Sequence, residues 1–96
     1  MKQLYVYYRM APQHLDEVQR CVTHFFCKLQ ELGVERATLH RRLGQHTPYI
    51  TLMEVIELPD HLNLSAFQTQ VDALVAHCFS GLSEPLTRTV EIFESV

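Results

Sequence analysis

Apolar residues recur along this chain in two periods. Leu4–Met10 (LYVYYRM) alternates Leu4, Val6, Tyr8 and Met10 against Tyr5, Tyr7 and Arg9, and its aromatic and β-branched content predicts a strand. Pro12 ends it and suits the first turn of a helix. From Leu15 the period lengthens: Leu15, Val18, Val22, Phe25, Phe26, Leu29 and Leu32 fall at three- and four-residue steps, one face of a helix. Gly33 stands where a left-handed cap is expected, and Asp16, Glu17 and Lys28 suit the helix dipole. Arg36–Leu43 reads as a weaker, more polar strand, hence an edge. Gly44-Gln45-His46-Thr47-Pro48 is a hairpin-length connection into Tyr49–Leu58. A second helical stripe, Phe67, Val71, Leu74, Val75, Cys78 and Leu82, follows a possible capping box of Ser65 with Gln68. Gly81 and Pro85 mark its end. Arg88–Glu94 (RTVEIFE) is the last strand.

The organising stretch is Tyr49–Leu58, YITLMEVIEL. Both of its alternating sets are apolar, interrupted only by Glu54 and Glu57, so both faces of this strand are expected to be covered. The order βαββαβ predicts a single α+β domain over residues 1–96. Its fold class is ferredoxin-like, a four-stranded antiparallel sheet with two helices on one face and the first and third strands in the centre. Leu4, Val6, Leu39, Met53, Val55, Val90 and Ile92, small and nearly uncharged, are assigned to the helix side. Tyr5, Tyr7, Arg9, His40, Arg42, Leu52, Glu54, Ile56, Glu91 and Phe93 are assigned to the open side. A mixed apolar face of that extent marks an interface or a ligand groove, and a homodimer joined through it is the expectation.

Composition narrows the partners. Eight Lys plus Arg against eleven Asp plus Glu gives a net charge of −3, without the basic stripe that nucleic acid requires. No apolar run is long enough for a membrane span. No targeting signal is recognisable at the start, and three unpaired cysteines suit a reducing compartment, so the cytoplasm is expected.

Candidate chemistry gathers on the open face. Arg9, Glu54 and Glu91, with Tyr5 and Tyr7, could hold a polar ligand or move a proton; equally, Arg9 and Glu54 could pair within a dimer interface. The six histidines and three cysteines contain neither a CxxC nor an HxxxH pair, so neither metal nor cofactor is expected. Cys78 falls in a helix stripe as a small core residue, and Cys27 falls opposite one. The three glycines are isolated, which excludes a phosphate loop.

The segments LYVYYRM, MEVIE (Met53–Glu57) and RTVEIFE resemble those of a small uncharacterised bacterial family, a domain of unknown function, over nearly the whole chain. Leu52, Ile56 and Thr89 depart from its pattern. More distantly, the βαββαβ order is similar to the dimeric α+β barrel superfamily, which includes cofactor-free monooxygenases, isomerases and decarboxylases. That resemblance implies two sheets packed face to face, with a cavity in some members between sheet and helices, and does not imply an activity. Three readings follow: a dimeric barrel that binds a small molecule or regulates without catalysis, a cofactor-independent enzyme with Glu54 as base and Arg9 as anion holder, and a module whose open face binds another protein.

Overall fold

The structure is a computed structural model and describes residues 1–44 and 47–96. The elements follow the predicted order: β1 (Lys2–Met10), α1 (Leu15–Glu31), β2 (Arg36–Arg41), β3 (Ile50–Leu58), α2 (Leu64–Cys78) and β4 (Thr89–Glu94). A single 3-10 turn at Pro12–His14 leads into α1. The connection expected over residues 44–48 lies partly outside the described residues. The strands form one antiparallel sheet in the order β2-β3-β1-β4, the ferredoxin-like α+β arrangement, with the two most apolar strands central.

Local chemistry sets the ends. After α1, Gly33 takes a φ of 95°, Gly33 N–H donates to the Gln30 carbonyl and Val34 N–H donates to the Leu29 carbonyl. These two bonds satisfy carbonyls that the helix end would otherwise orphan, and only glycine adopts that φ cheaply. At α2 the cap is Asn63, not the expected Ser65: its Oδ1 accepts from Ala66 N–H at 3.0 Å. Asn63 precedes the helical residues with an extended backbone, so its side chain can reach back into the first turn.

The core joins Val18, Val22, Phe25 and Leu29 of α1, Phe67 and Cys78 of α2, and one face of the sheet. On β1 that face is Leu4, Val6, Tyr8 and Met10; on β3 it is Ile50, Leu52, Glu54, Ile56 and Leu58, all buried. The assignment of β3 from sequence is therefore corrected. Leu52, Glu54 and Ile56 face the helices, whereas Met53 and Val55 lie on the helix-free side. The register requires it, because Leu4 pairs with Ile56 and Val6 with Glu54, and cross-strand partners share a face. A one-residue change of parity moves the whole set.

β4 is an edge strand whose six residues are all exposed. Val90 and Ile92 belong to the helix-side face by register, yet remain 51% and 41% exposed. The core therefore thins toward β4, which opens a groove beneath α2.

Candidate functional site

Glu54 is the one buried charged residue among the described residues, with no solvent exposure. A carboxylate loses several kcal/mol of hydration on such burial unless donors replace the water. Arg88, in the segment before β4, supplies two: Nη1 donates to Oε2 at 2.7 Å and Nη2 to Oε1 at 2.9 Å. The Tyr8 hydroxyl, on the same face of β1, donates a third bond to Oε2 at 2.7 Å. The fork-on-carboxylate geometry matches both charged groups. The guanidinium carbon also lies 4.7 Å from the Phe79 ring centroid, 5.2 Å from Phe25 and 5.5 Å from Tyr8. Arg88 is thus enclosed by π faces, with its side chain 11% exposed. Burial, then the charge and hydrogen bond of Glu54, push the Tyr8 phenol above its ordinary range, so it stays a donor.

Beside this network lies a groove of about 420 Å³ between α2 and the sheet. Leu4, Val6 and Ile56 form its floor, Val71 and Val75 of α2 one wall, and Val90 the outer rim. Arg88 also lines it, and Gln68 and Asp72 provide polar groups on the helix side.

The helix-free face is ordered in rows read from the register. Arg9 of β1 pairs with Thr51 of β3, and Arg42 N–H donates to the Thr51 carbonyl, so Arg9, Thr51 and Arg42 form one row. The next holds Thr89, Tyr7, Met53 and His40, and the one after it Glu91, Tyr5, Val55 and Thr38. Tyr7 donates to Glu91 at 3.0 Å, and this bond is the main reason its phenol is raised. Tyr5 meets Phe93 edge to face at 5.2 Å, and the Thr38 hydroxyl and His40 Nε2 are 2.8 Å apart.

The predicted open-face group therefore divides. Tyr5, Tyr7, Arg9, His40, Arg42, Glu91 and Phe93 share the helix-free face. Leu52, Glu54 and Ile56 do not, and the expected Arg9–Glu54 pairing is overturned: Arg9 instead lies over the Tyr49 ring at 5.3 Å. Sequence reasoning missed Tyr8, Arg88 and Phe79. The available signal was Glu54 itself, a carboxylate in an apolar strand that must find a cation.

A second polar cluster ties α1 to the loop after α2. Glu17 accepts from Ser83 N–H at 2.6 Å and from the Ser83 hydroxyl at 2.8 Å, while His14 lies within 3.5 Å of Glu17 and 3.7 Å of Glu84. The Ser83 bonds, side chain first, hold the Glu17 carboxyl below its usual range. With its hydroxyl donated to Glu17, Ser83 acts as an anchor rather than a nucleophile. Among the described residues no three His, Cys, Asp or Glu side chains converge as a metal site. No helix is long and apolar enough to cross a membrane.

No family model and no curated protein matches the chain, so the resemblance to an uncharacterised bacterial family gains no support. Solved structures do match. The de novo designed protein Foldit4 shares 7% identity, covering 99% of this chain and 98% of its own, with a TM-score of 0.60. A provisionally named antibiotic biosynthesis monooxygenase from Deinococcus radiodurans shares 17% identity over 100% of this chain and 93% of its own, with a TM-score of 0.55. A second provisionally named antibiotic biosynthesis monooxygenase, from Bordetella bronchiseptica, aligns at 18% identity over 100% and 99%, with a TM-score of only 0.48. At such identities the likeness is one of fold, and chemistry has to be argued from the residues themselves.

Proposed function

We propose that the chain binds a small, largely apolar molecule in the groove between α2 and the sheet, as a homodimer joined through its helix-free face, and that it does so without catalysis. The observation that carries this reading is the groove itself: about 420 Å³, walled mostly by aliphatic side chains, with Arg88 among its lining residues. That volume and lining are those of small-molecule sites, where apolar walls supply affinity and a few fixed polar groups supply orientation. Arg88 gives two N–H groups to Glu54, and a remaining N–H is the donor we propose for a ligand oxygen.

The name carried by the Deinococcus radiodurans protein raises the alternative of a cofactor-independent monooxygenase. Binding is favoured over proton transfer here because Glu54, the buried carboxylate beside the groove, already accepts three short hydrogen bonds and has no free access to a substrate proton. The homodimer rests on the helix-free face, where Tyr5, Tyr7, Met53, Val55 and Phe93 lie without a covering helix. Burying several hundred Å² of apolar surface there contributes on the order of 10 kcal/mol before association costs are subtracted.

Native mass spectrometry of the purified protein tests the proposal. A small molecule retained one per chain is expected, and Val75→Trp, which fills the groove from α2, should abolish its retention while leaving the fold intact. A wild-type protein without a retained molecule, and without saturable binding of an apolar fluorescent probe, would refute the groove reading.

A further inference from the structure

We propose that Arg9 and Arg42 form a binding site for a phosphate group, distinct from the groove and set at the end of the helix-free face. The two residues flank Thr51 in a single row across β1, β3 and the residue that continues β2. Two strand spacings separate them, so their Cα atoms stand roughly 10 Å apart. Both line one concavity of about 520 Å³, bounded on its far side by Pro85, Thr87 and Thr89.

Three observations point to an anion. First, neither guanidinium meets a carboxylate among the described residues: Arg9 has only the Tyr49 ring beneath it, and Arg42 has no side-chain partner. Second, the row contains no acid, and the nearest carboxylate on this face, Glu91, is two rows away and engaged by Tyr7. Two cations on one face with no acid between them raise the local potential for an anion. Third, both cations, although solvent-exposed, line one concavity together.

Charge balance favours phosphate over carboxylate. A phosphate dianion matches the charge of two guanidinium groups and offers oxygens to both forks, whereas a carboxylate carries a single charge. The chemistry is shared by inorganic phosphate and by a phosphate monoester. Its volume of about 520 Å³ leaves room for the organic part of an ester.

The test is a titration of the full chain, followed by amide chemical shifts and thermal midpoint, with inorganic phosphate, phenyl phosphate and acetate at one ionic strength held with chloride. Saturable shifts centred on residues 9, 42 and 51 are expected with both phosphates. Tighter binding of phenyl phosphate would identify an ester as the ligand; equal binding would identify the free ion. Arg9→Ala and Arg42→Ala should each weaken binding at least about tenfold, because each removes one charge-assisted fork. Arg42→Lys should restore only part of it, and Arg36→Ala, at the other end of the face, none of the loss. No saturable response, or one unchanged in both alanine variants, would overturn the site. Equal binding of acetate would overturn the phosphate assignment. A change of oligomeric state in Arg9→Ala with no phosphate response in the wild type would assign the row to subunit pairing instead. None of these readouts involves the groove beneath α2, so the phosphate site and the groove stand or fail separately.

Discussion

Replacing Arg88 by methionine probes the buried network at its centre. The substitution keeps an unbranched apolar stem against Phe25 and Phe79 and removes the guanidinium. Glu54, fully buried, then keeps the Tyr8 hydroxyl as its one donor of three. Removing one partner of a buried ion pair costs about 3–5 kcal/mol, because the charge left behind has lost both water and counterion. Lost cation–ring contact adds about 0.5–2 kcal/mol, part of which the methionine recovers by packing. A domain of this length has about 5–15 kcal/mol of stability in total, so the variant should lie near the edge of folding. Urea denaturation at pH 7 reads the loss directly, and the thermal midpoint should fall by at least about 12 °C. Glu54→Leu combined with Arg88→Met and Tyr8→Phe removes both charges and the hydroxyl that Glu54 accepts from, and should restore most of the stability, since a buried pair exchanged for apolar groups is close to neutral. A loss below about 1 kcal/mol in the single variant, the range of solvated pairs, would refute the reasoning. So would a triple variant no more stable than the single one, because the loss would then belong to packing and not to a stranded charge.

Two further outcomes are expected. Met53→Glu places a charge at the middle of the helix-free face and should convert a homodimer to monomer by light scattering; a monomeric wild type at micromolar concentration, or a variant that remains dimeric, would remove the dimer proposal. Glu17 is held below its ordinary range by Ser83, so the anchor it forms is at full strength above the unfolded value near pH 4.5 and is lost as pH falls through the lower folded value. Amide protection in residues 80–84, taken relative to the intrinsic exchange rate at each pH, should therefore fall below about pH 4.5 in the wild type, whereas in Glu17→Gln it should already be low at pH 7 and show no such step.

Element order, the α1 stripe and the capping glycine at 33 were legible because each rests on local periodicity or a local backbone need. The face of β3 was not. Both of its alternating sets are apolar, so hydrophobicity could not choose between them, and the charge of Glu54 argued for solvent. That argument failed because it priced the carboxylate alone. With Arg88 and Tyr8 in place the buried side is open to it, but Arg88 lies 34 residues away in a segment without periodicity. Of eight basic residues, nothing local singled it out. The helix-free set on the other strands was legible, because Tyr5, Tyr7 and Arg9 alternate against a plainly aliphatic set on β1.

The sequence separations in the buried network also bear on the order in which the fold can close. Tyr8 and Glu54 are 46 residues apart, and Glu54 and Arg88 are 34. During synthesis β1, α1, β2 and β3 all emerge before Arg88, and in that interval packing Glu54 against the helices would place an uncompensated carboxylate in apolar surroundings. Burial of Glu54 with its charge paired therefore requires the segment leading into β4. The same three bonds that stabilise the finished molecule thus tie final burial of the central strand to that distant segment.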